Sequence, residues 1–243
     1  MPLGAAPART HLLRGALAGA AAGLLTAVYN LLLTERVLDR AIALEHDHGG
    51  PVSRETQKYL GGPAGQVLFG ISMGLLFALA YRFVPSTASP WRRALGLALG
   101  MYLVIALIPQ LRYPANPPGV GEADTIQART SAYLLTYALG LVVVPGAYAA
   151  LRALRQRGVS EPVRQVAVVV GAVAAVALVY ALLPDSNDPD TLPAGLVWAF
   201  RIRALGGLTL FFAALGVLFG LLTERAERAA AAAPVAEPEL ALR

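Results

Sequence analysis

The chain has 243 residues, of which 56% are hydrophobic and only 14% are charged, and its mean hydropathy is +0.58. Soluble domains carry about 25% charged residues, so this composition indicates a membrane protein. The net charge of +5 comes from arginines that are scattered between apolar blocks. Such arginines typically orient the spans of a membrane protein, whereas a nucleic-acid-binding surface has them clustered. The absence of cysteine excludes disulfides, thiolate metal sites and a cysteine nucleophile.

Six apolar blocks are long enough to cross a bilayer, whose hydrocarbon core of about 30 Å needs roughly 20 apolar residues in a helix. Their approximate bounds are Gly15–Leu33, Ala64–Tyr81, Ala94–Leu111, Ser131–Leu151, Gln165–Leu183 and Ala204–Leu222. None carries a charged residue in its interior. The segment "TERVLDRAIALE" predicts that the first helix continues beyond the membrane, so we interpret the first block as an uncleaved span and not as a signal peptide. We therefore predict an all-α, polytopic membrane protein with about six transmembrane helices.

The basic residues of the connections predict the orientation, because arginine and lysine are enriched on the cytoplasmic side. If the N-terminus is cytoplasmic, twelve basic residues lie inside and eight lie outside. We therefore predict that both termini are cytoplasmic and that the chain crosses the membrane several times. Residues 1–228 are predicted to form one transmembrane domain, and residues 229–243, a low-complexity segment, to form a disordered cytoplasmic tail.

The first of the three predicted outer connections concentrates polar chemistry. It contains Glu45, His46, Asp47 and His48 in succession, and these include two of the three histidines of the chain. Glu35, Asp39 and His46 also fall at positions i, i+4 and i+11 of the continuing helix. Neutral imidazoles together with carboxylates suit cobalt, nickel, zinc or manganese, and such ligands bind less well as the pH falls. The alternative is an ordinary solvated loop.

The other two outer connections are acidic turns. Asp124 in the second is either a metal ligand or the N-cap of the next helix. Asp185, Asp188 and Asp190 in the third are either cation ligands or turn formers. Arg201 and Arg203 could neutralise these acids when no metal is present, or simply mark the membrane interface.

Two further patterns concern the packing of the spans. Glycines recur at four-residue spacing, which lets helix backbones approach closely in lipid and predicts either packing within the chain or a homo-oligomer. These glycines are Gly15/Gly19/Gly23, Gly70/Gly74, Gly96/Gly100 and Gly216/Gly220. Polar residues favour the outer halves of the spans and predict either an outward-facing vestibule or simple interface anchors. They are Tyr29, Asn30, Gln66, Gln110, Ser131, Tyr133, Thr136, Tyr137 and Tyr180.

Several segments resemble one bacterial membrane family, the predicted cobalt transporter subunit CbtA. They are "GALAGAAAG" in the first span, "DRAIALE", "VSRETQ", "FRIRALGG" and, the most specific, "YPANPPGVGEADTIQART". The resemblance implies a multi-pass subunit of the bacterial inner membrane for cobalt uptake, linked to cobalamin biosynthesis. It also implies a small single-span partner, CbtB, with a histidine-rich end. The family is described with five spans, one fewer than the six blocks counted here.

From these observations we expect a subunit that captures a divalent ion at the outer face and passes it across the bilayer with its partner. The cobalt ion would be cargo, and no resident cofactor is expected. The alternative is a non-transporting membrane scaffold or a metal-sensing protein. An enzyme is not expected, because the chain has no H-E-x-x-H-type motif to support a metal hydrolase.

Overall fold

The computed structural model of the protein describes residues 8–44, 52–84, 86–117, 126–184 and 192–232. Within these ranges the chain forms helices and no β-strand. Six of the helices are long and apolar enough to cross a membrane. They are α1 (Ala8–Ile42), α2 (Arg54–Phe83), α3 (Pro90–Arg112), α4 (Ile126–Gln156), α5 (Glu161–Leu182) and α6 (Ala194–Ala232). The six predicted spans are therefore confirmed as helices, and the first helix continues well beyond its apolar block, as predicted.

The helices begin where the sequence supplies capping residues. Ser53 precedes α2 and its hydroxyl accepts a hydrogen bond from the backbone N–H of Thr56 at 3.3 Å. Ser89 precedes α3 and accepts from the N–H of Arg92 at 3.5 Å, with Pro90 in the first turn. Both arrangements satisfy N–H groups that have no partner within the helix. The turn between α4 and α5 contains Gly158 at φ 74°, a backbone conformation that favours glycine.

Glycines bring α1 and α2 into backbone contact. The two helices run antiparallel, so that Gly15 faces Gly74, Gly19 faces Gly70, and Gly23 faces the backbone of Gln66. A Cβ atom on any of these glycines would come closer than 3.0 Å to the carbonyl oxygen opposite. The predicted close approach is thus confirmed here as packing within the chain, and we call this contact the glycine seam.

The centre of the bundle lies among α1, α2, α3 and α6. It is filled mainly by large aromatic and aliphatic side chains, of which Phe77, Phe211, Phe212, Leu215 and Phe219 are the largest. Adjacent rings pack edge to face, a geometry that favours aromatic contacts beyond the burial of their surface.

The glycine pattern is only partly correct for α3. Gly216 and Gly220 of α6 do lie against α3, where they face Ala98 and Ala94. Gly96, in contrast, has nothing within 4 Å of a Cβ position, and Gly100 would meet only a methyl group of Val144 at 3.6 Å. The expectation of a close backbone approach at Gly96/Gly100 was therefore wrong, because the contact face of α3 is formed by its alanines.

The hairpin formed by α4 and α5 lies beside this four-helix group. Gly140 of α4 packs on Val104 of α3, and the hydroxyl of Tyr180 in α5 donates a hydrogen bond to the carbonyl of Ile108. None of the residues of α5 is buried within the chain. Because a span with this composition needs an apolar environment, the valine-rich surface of α5 is suited to face lipid.

The two ends of the bundle differ. At one end, which we call the loop end, α1 and α3 finish and α2 and α6 begin. At the other end, which we call the terminal end, α1 begins and α6 finishes. At the loop end Ala41 packs with Leu192 and Val197, so the last turn of α1 meets the first turn of α6. At the terminal end His11 lies beside Phe219 and Tyr81.

Candidate functional site

The eight residues predicted as metal ligands lie outside the described residues. They are Glu45, His46, Asp47, His48, Asp124, Asp185, Asp188 and Asp190. Their role in metal binding therefore stays a prediction, as does the capping role of Asp124. Among the described residues, no group of three or more histidine, aspartate and glutamate side chains is placed to hold a metal ion.

A small cavity of about 50 Å³ lies between α1 and α2 at the loop end. This is enough space for a few water molecules, since one water needs about 10–15 Å³ by this measure. Both polar and apolar residues contribute to its wall: Ala27, Asn30, Leu31, Glu35, Lys58, Gly62, Pro63 and Gln66. We call it the loop-end cavity.

Two π-helical turns border this cavity. One spans Asn30–Thr34 in α1 and the other Gln57–Gly61 in α2. A π turn inserts an extra residue into a helix and shifts the side chains that follow, and such turns are frequent at functional sites. Here the two turns place Asn30 and Lys58 at the cavity. Asn30 is fixed by a hydrogen bond of 3.0 Å that its Oδ1 accepts from the hydroxyl of Thr34.

Four charged side chains form a network beside the cavity. Arg54 donates to Glu35 and also to Asp39, the latter at 3.0 Å, and Lys58 donates to Asp39 at 2.6 Å. Glu35 is the more enclosed acid, with 14% of its side chain exposed against 42% for Asp39. The network is neutral, because two carboxylates meet two cations. It holds Glu35 in the cavity wall without leaving an unpaired charge in a partly apolar place.

The sequence analysis did not select Glu35 and Asp39 as ligands, although a signal for them existed. Glu35 and Asp39 are four residues apart in one helix, and Arg54 and Lys58 are four residues apart in the next. Residues at this spacing share a helix face. Two such pairs of opposite charge, at the ends of two helices joined by a short connection, could have predicted ion pairing here, although not which residues pair.

Arginines join the predicted outer connections to one another. Arg112, at the end of α3, donates to the carbonyls of Leu183 and Pro184 at 2.7 and 2.8 Å, and the hydroxyl of Tyr113 also donates to Pro184 at 2.8 Å. Arg201 of α6 donates to the side chain of Asn116 at 2.8 Å. The ends of the second and third connections therefore lie together. Asp185, Asp188 and Asp190 lie outside the described residues, so their neutralisation by Arg201 and Arg203 stays a prediction.

The polar residues predicted to line one vestibule divide into separate groups. Asn30 and Gln66 line the loop-end cavity, and Tyr29 packs beside them on Gly206 and Gly207. Tyr133 and Tyr137 instead pack edge to face within α4, with ring centroids 5.1 Å apart. Tyr180 joins α5 to α3. Among the described residues, the predicted polar set therefore forms one small cavity, between α1 and α2, and no single vestibule.

Six apolar helices, an apolar centre and a small cavity at one end define a polytopic helical membrane protein. Residues 8–224 match the model of the family described as probable cobalt transporter subunit (CbtA). The chain therefore belongs to the CbtA family, and the resemblance noted in the sequence is confirmed. No curated protein and no solved structure gives a match. Six helices suited to spanning are found here, and not the five expected from the resemblance.

Proposed function

We propose that the protein captures a divalent cobalt ion at the outer face of the membrane and passes it across the bilayer together with a small single-span subunit. The observation that carries this proposal is the ion-paired network at the loop-end cavity. The connection that contains Glu45, His46, Asp47 and His48 starts after Leu44 and ends before Val52. Arg54, three residues beyond that connection, is bound to Glu35 and Asp39 of the preceding helix.

The composition of this region suits a cation in transit. Imidazole and carboxylate in the connection would take cobalt from solution, and oxygen ligands at the cavity would receive it. Glu35 is the carboxylate on the cavity wall, and Asn30 and Gln66 bring amide groups. The incoming ion would compete with Arg54 and Lys58 for the carboxylates, so that these two cations act as replaceable counter-ions of the empty site.

The apolar centre of the chain supports the need for a partner. The family description itself names a subunit. The sequence contains no phosphate-binding loop of the G-x-x-x-x-G-K-[ST] type, so we assign no ATP hydrolysis to this chain. A partner with one span and a histidine-rich end would supply further imidazoles for the ion.

The alternative, a non-transporting scaffold or sensor, would have to bind its partners elsewhere than at the glycines of α1 and α2. That interpretation used the glycine stripes as surfaces for partner helices. Gly15, Gly19, Gly23, Gly70 and Gly74 are occupied by the contact between α1 and α2. These glycines are therefore not free to bind another protein.

The test is uptake of radioactive cobalt in a bacterium that lacks its own cobalt transport. The protein is expressed alone and with its single-span partner, with nickel and zinc as competitors. We expect uptake that falls strongly in the His46→Ala, His48→Ala double variant. Glu55→Gln is the matched control, because Glu55 is an exposed acid at the same end of the bundle. Uptake that ignores the two histidines would refute capture by them, and absence of uptake in both strains would support the scaffold or sensor.

A further inference from the structure

We propose that the terminal end of the bundle holds a binding site for the phosphate group of an anionic phospholipid. The site is formed by His11 and Arg14 of α1, Arg93 of α3 and Thr223 of α6. It lies at the opposite end of the bundle from the loop-end cavity. It takes an anion and not the metal, so it is independent of the function proposed above.

Buried polar atoms without partners are the first observation. His11 Nδ1, Arg14 Nη1 and Thr223 Oγ1 are each buried and make no hydrogen bond. The Thr223 side chain is completely enclosed, with 0% of the residue exposed. Buried polar groups are normally satisfied, and an unpaired guanidinium N–H is among the most costly to leave without an acceptor. Several such atoms at one end of the bundle indicate that an acceptor belongs there.

The residues converge around two aromatic rings. The imidazole of His11 lies 5.8 Å from the ring of Tyr81 and 6.4 Å from that of Phe219, measured between centroids. The guanidinium carbon of Arg93 lies 4.0 Å from the centroid of Tyr81. Arg14 follows His11 by three residues and Thr223 follows Phe219 by four, so each shares the helix face of its neighbour. Four helices thus contribute to one cluster.

The charge of this cluster selects an anion over a cation. The positive charges of Arg14, Arg82 and Arg93 all surround His11. No carboxylate among the described residues forms an ion pair with Arg14 or Arg93. Among the described residues, the negative charge near Tyr81 comes from Glu227, an exposed residue one turn beyond Thr223. The three guanidinium groups outnumber the two carboxylates that follow Thr223, Glu227 and Glu224, and Glu224 is paired with Arg228. The cluster therefore repels a divalent metal and attracts a phosphate.

The position of the cluster favours a lipid over free phosphate. Arg14, Arg82 and Arg93 each lie directly beside the end of an apolar block, next to Gly15, Tyr81 and Ala94 respectively. This is the level at which phospholipid headgroups meet the hydrocarbon core. Leucines 13 and 17 on the same helix are 60% and 56% exposed, and they offer an apolar surface for the acyl chains. With the predicted orientation, the site would face the cytoplasmic leaflet, where basic pockets between helices bind anionic headgroups.

The test measures binding of short-chain phosphatidylglycerol, phosphatidylcholine and inorganic phosphate to the full-length protein in detergent. Binding is followed by the fluorescence of Trp91 in a Trp198→Phe background, because Trp91 lies against Gly220 near the cluster. We expect phosphatidylglycerol to bind, phosphatidylcholine not to bind, and inorganic phosphate to compete only weakly. Arg14→Gln should weaken phosphatidylglycerol binding at least about tenfold, whereas Arg14→Lys should keep part of it and Glu227→Gln should strengthen it.

Two further variants keep the test decisive. Arg92→Gln is the matched control, since Arg92 is exposed and lies next to Arg93, and it should leave binding unchanged. Thr223→Val removes one buried hydroxyl at nearly constant shape, and it should weaken binding even if Arg14→Gln fails to fold. Equal loss in Arg14→Gln and Arg92→Gln, or equal binding of both lipids, would overturn the proposal. Phosphate that binds as tightly as phosphatidylglycerol would overturn the lipid as the source of the phosphate group.

Discussion

Gly19 of α1 and Gly70 of α2 lie opposite each other, and the carbonyl oxygen of each occupies the space that a side chain of the other would need. The same relationship joins Gly15 to Gly74 one turn further along. With no side chain between them, the two backbones lie in contact over a long stretch, as small-residue motifs permit in lipid. The first two helices therefore behave as one hairpin.

The glycine seam predicts a sharp difference between glycines of the same chain. Gly19→Ala or Gly70→Ala should destabilise the protein by about 1–3 kcal/mol, because a methyl group would force the backbones apart. Gly96→Ala and Gly171→Ala are the controls, since nothing lies within 4 Å of a Cβ at either position. These two should be neutral or slightly stabilising, because alanine favours a helix over glycine. Thermal unfolding in detergent measures the difference, and equal effects at Gly19 and Gly96 would contradict the seam.

The ion-paired network predicts opposite effects of two substitutions on cobalt binding. Glu35→Gln removes the more enclosed carboxylate and should weaken binding to the purified protein. Lys58→Met should strengthen it by up to about fivefold, because Asp39 loses a competing cation and an exposed ion pair is worth about 1 kcal/mol at most. Titration calorimetry with cobalt measures both, with Glu55→Gln as the reference. Weakening in both variants would mean that the network has a purely structural role.

The bonds of Arg112 predict that the second and third connections depend on each other. Arg112→Gln should lower the melting temperature more than Tyr113→Phe. A charged donor contributes about 1.5–3 kcal/mol per hydrogen bond and a neutral one about 0.5–1.5 kcal/mol. Arg225→Gln, at an exposed position in α6, provides the control for the loss of one positive charge. A melting temperature that responds equally to Arg112→Gln and Arg225→Gln would show that the two carbonyl contacts contribute little.

The predicted orientation is open to a direct labelling test, because the natural chain has no cysteine. Val52→Cys places one thiol at the loop end, and Thr87→Cys places one in the connection between α2 and α3; both positions are exposed. A maleimide that cannot cross membranes should label Val52→Cys in intact cells, and Thr87→Cys only after the cells are opened. The reverse pattern would invert the assignment and place the loop-end cavity in the cytoplasm.

The helices could be predicted from the sequence because the length of an apolar block is a local property. The continuation of α1 through Asp39 was accessible for the same reason, from the spacing of its apolar residues. The loop-end cavity could not be predicted in this way, because it depends on which residues of α2 lie opposite Glu35 across the hairpin. Spacing within one helix does not fix that register. Gly96 shows the same limit, since the sequence places it in a motif and the structure turns that face of α3 away from its neighbours.

The third histidine shows a different limit. The acids beside His46 and His48 in the sequence indicate a metal site, whereas the sequence neighbours of His11 are apolar and basic and indicate none. Its neighbours Tyr81 and Phe219 come from the second and sixth helices. A site assembled from residues so distant in the chain leaves no local pattern, so only the packing of the helices could place His11 in a cluster.

The filled centre of the bundle has a consequence for the path of an ion. Phe77, Phe211, Phe212 and Leu215 occupy the space between the loop-end cavity and the terminal end. A cobalt ion that entered there would exchange its hydration shell for hydrocarbon, at a cost that no single carboxylate at the entrance offsets. The glycine seam closes the neighbouring route between α1 and α2. The axis of these four helices is therefore closed to a hydrated ion in this conformation. If the chain carries cobalt as proposed, its route would lie at the periphery of these helices, where the α4–α5 hairpin or a second protein would form the other wall.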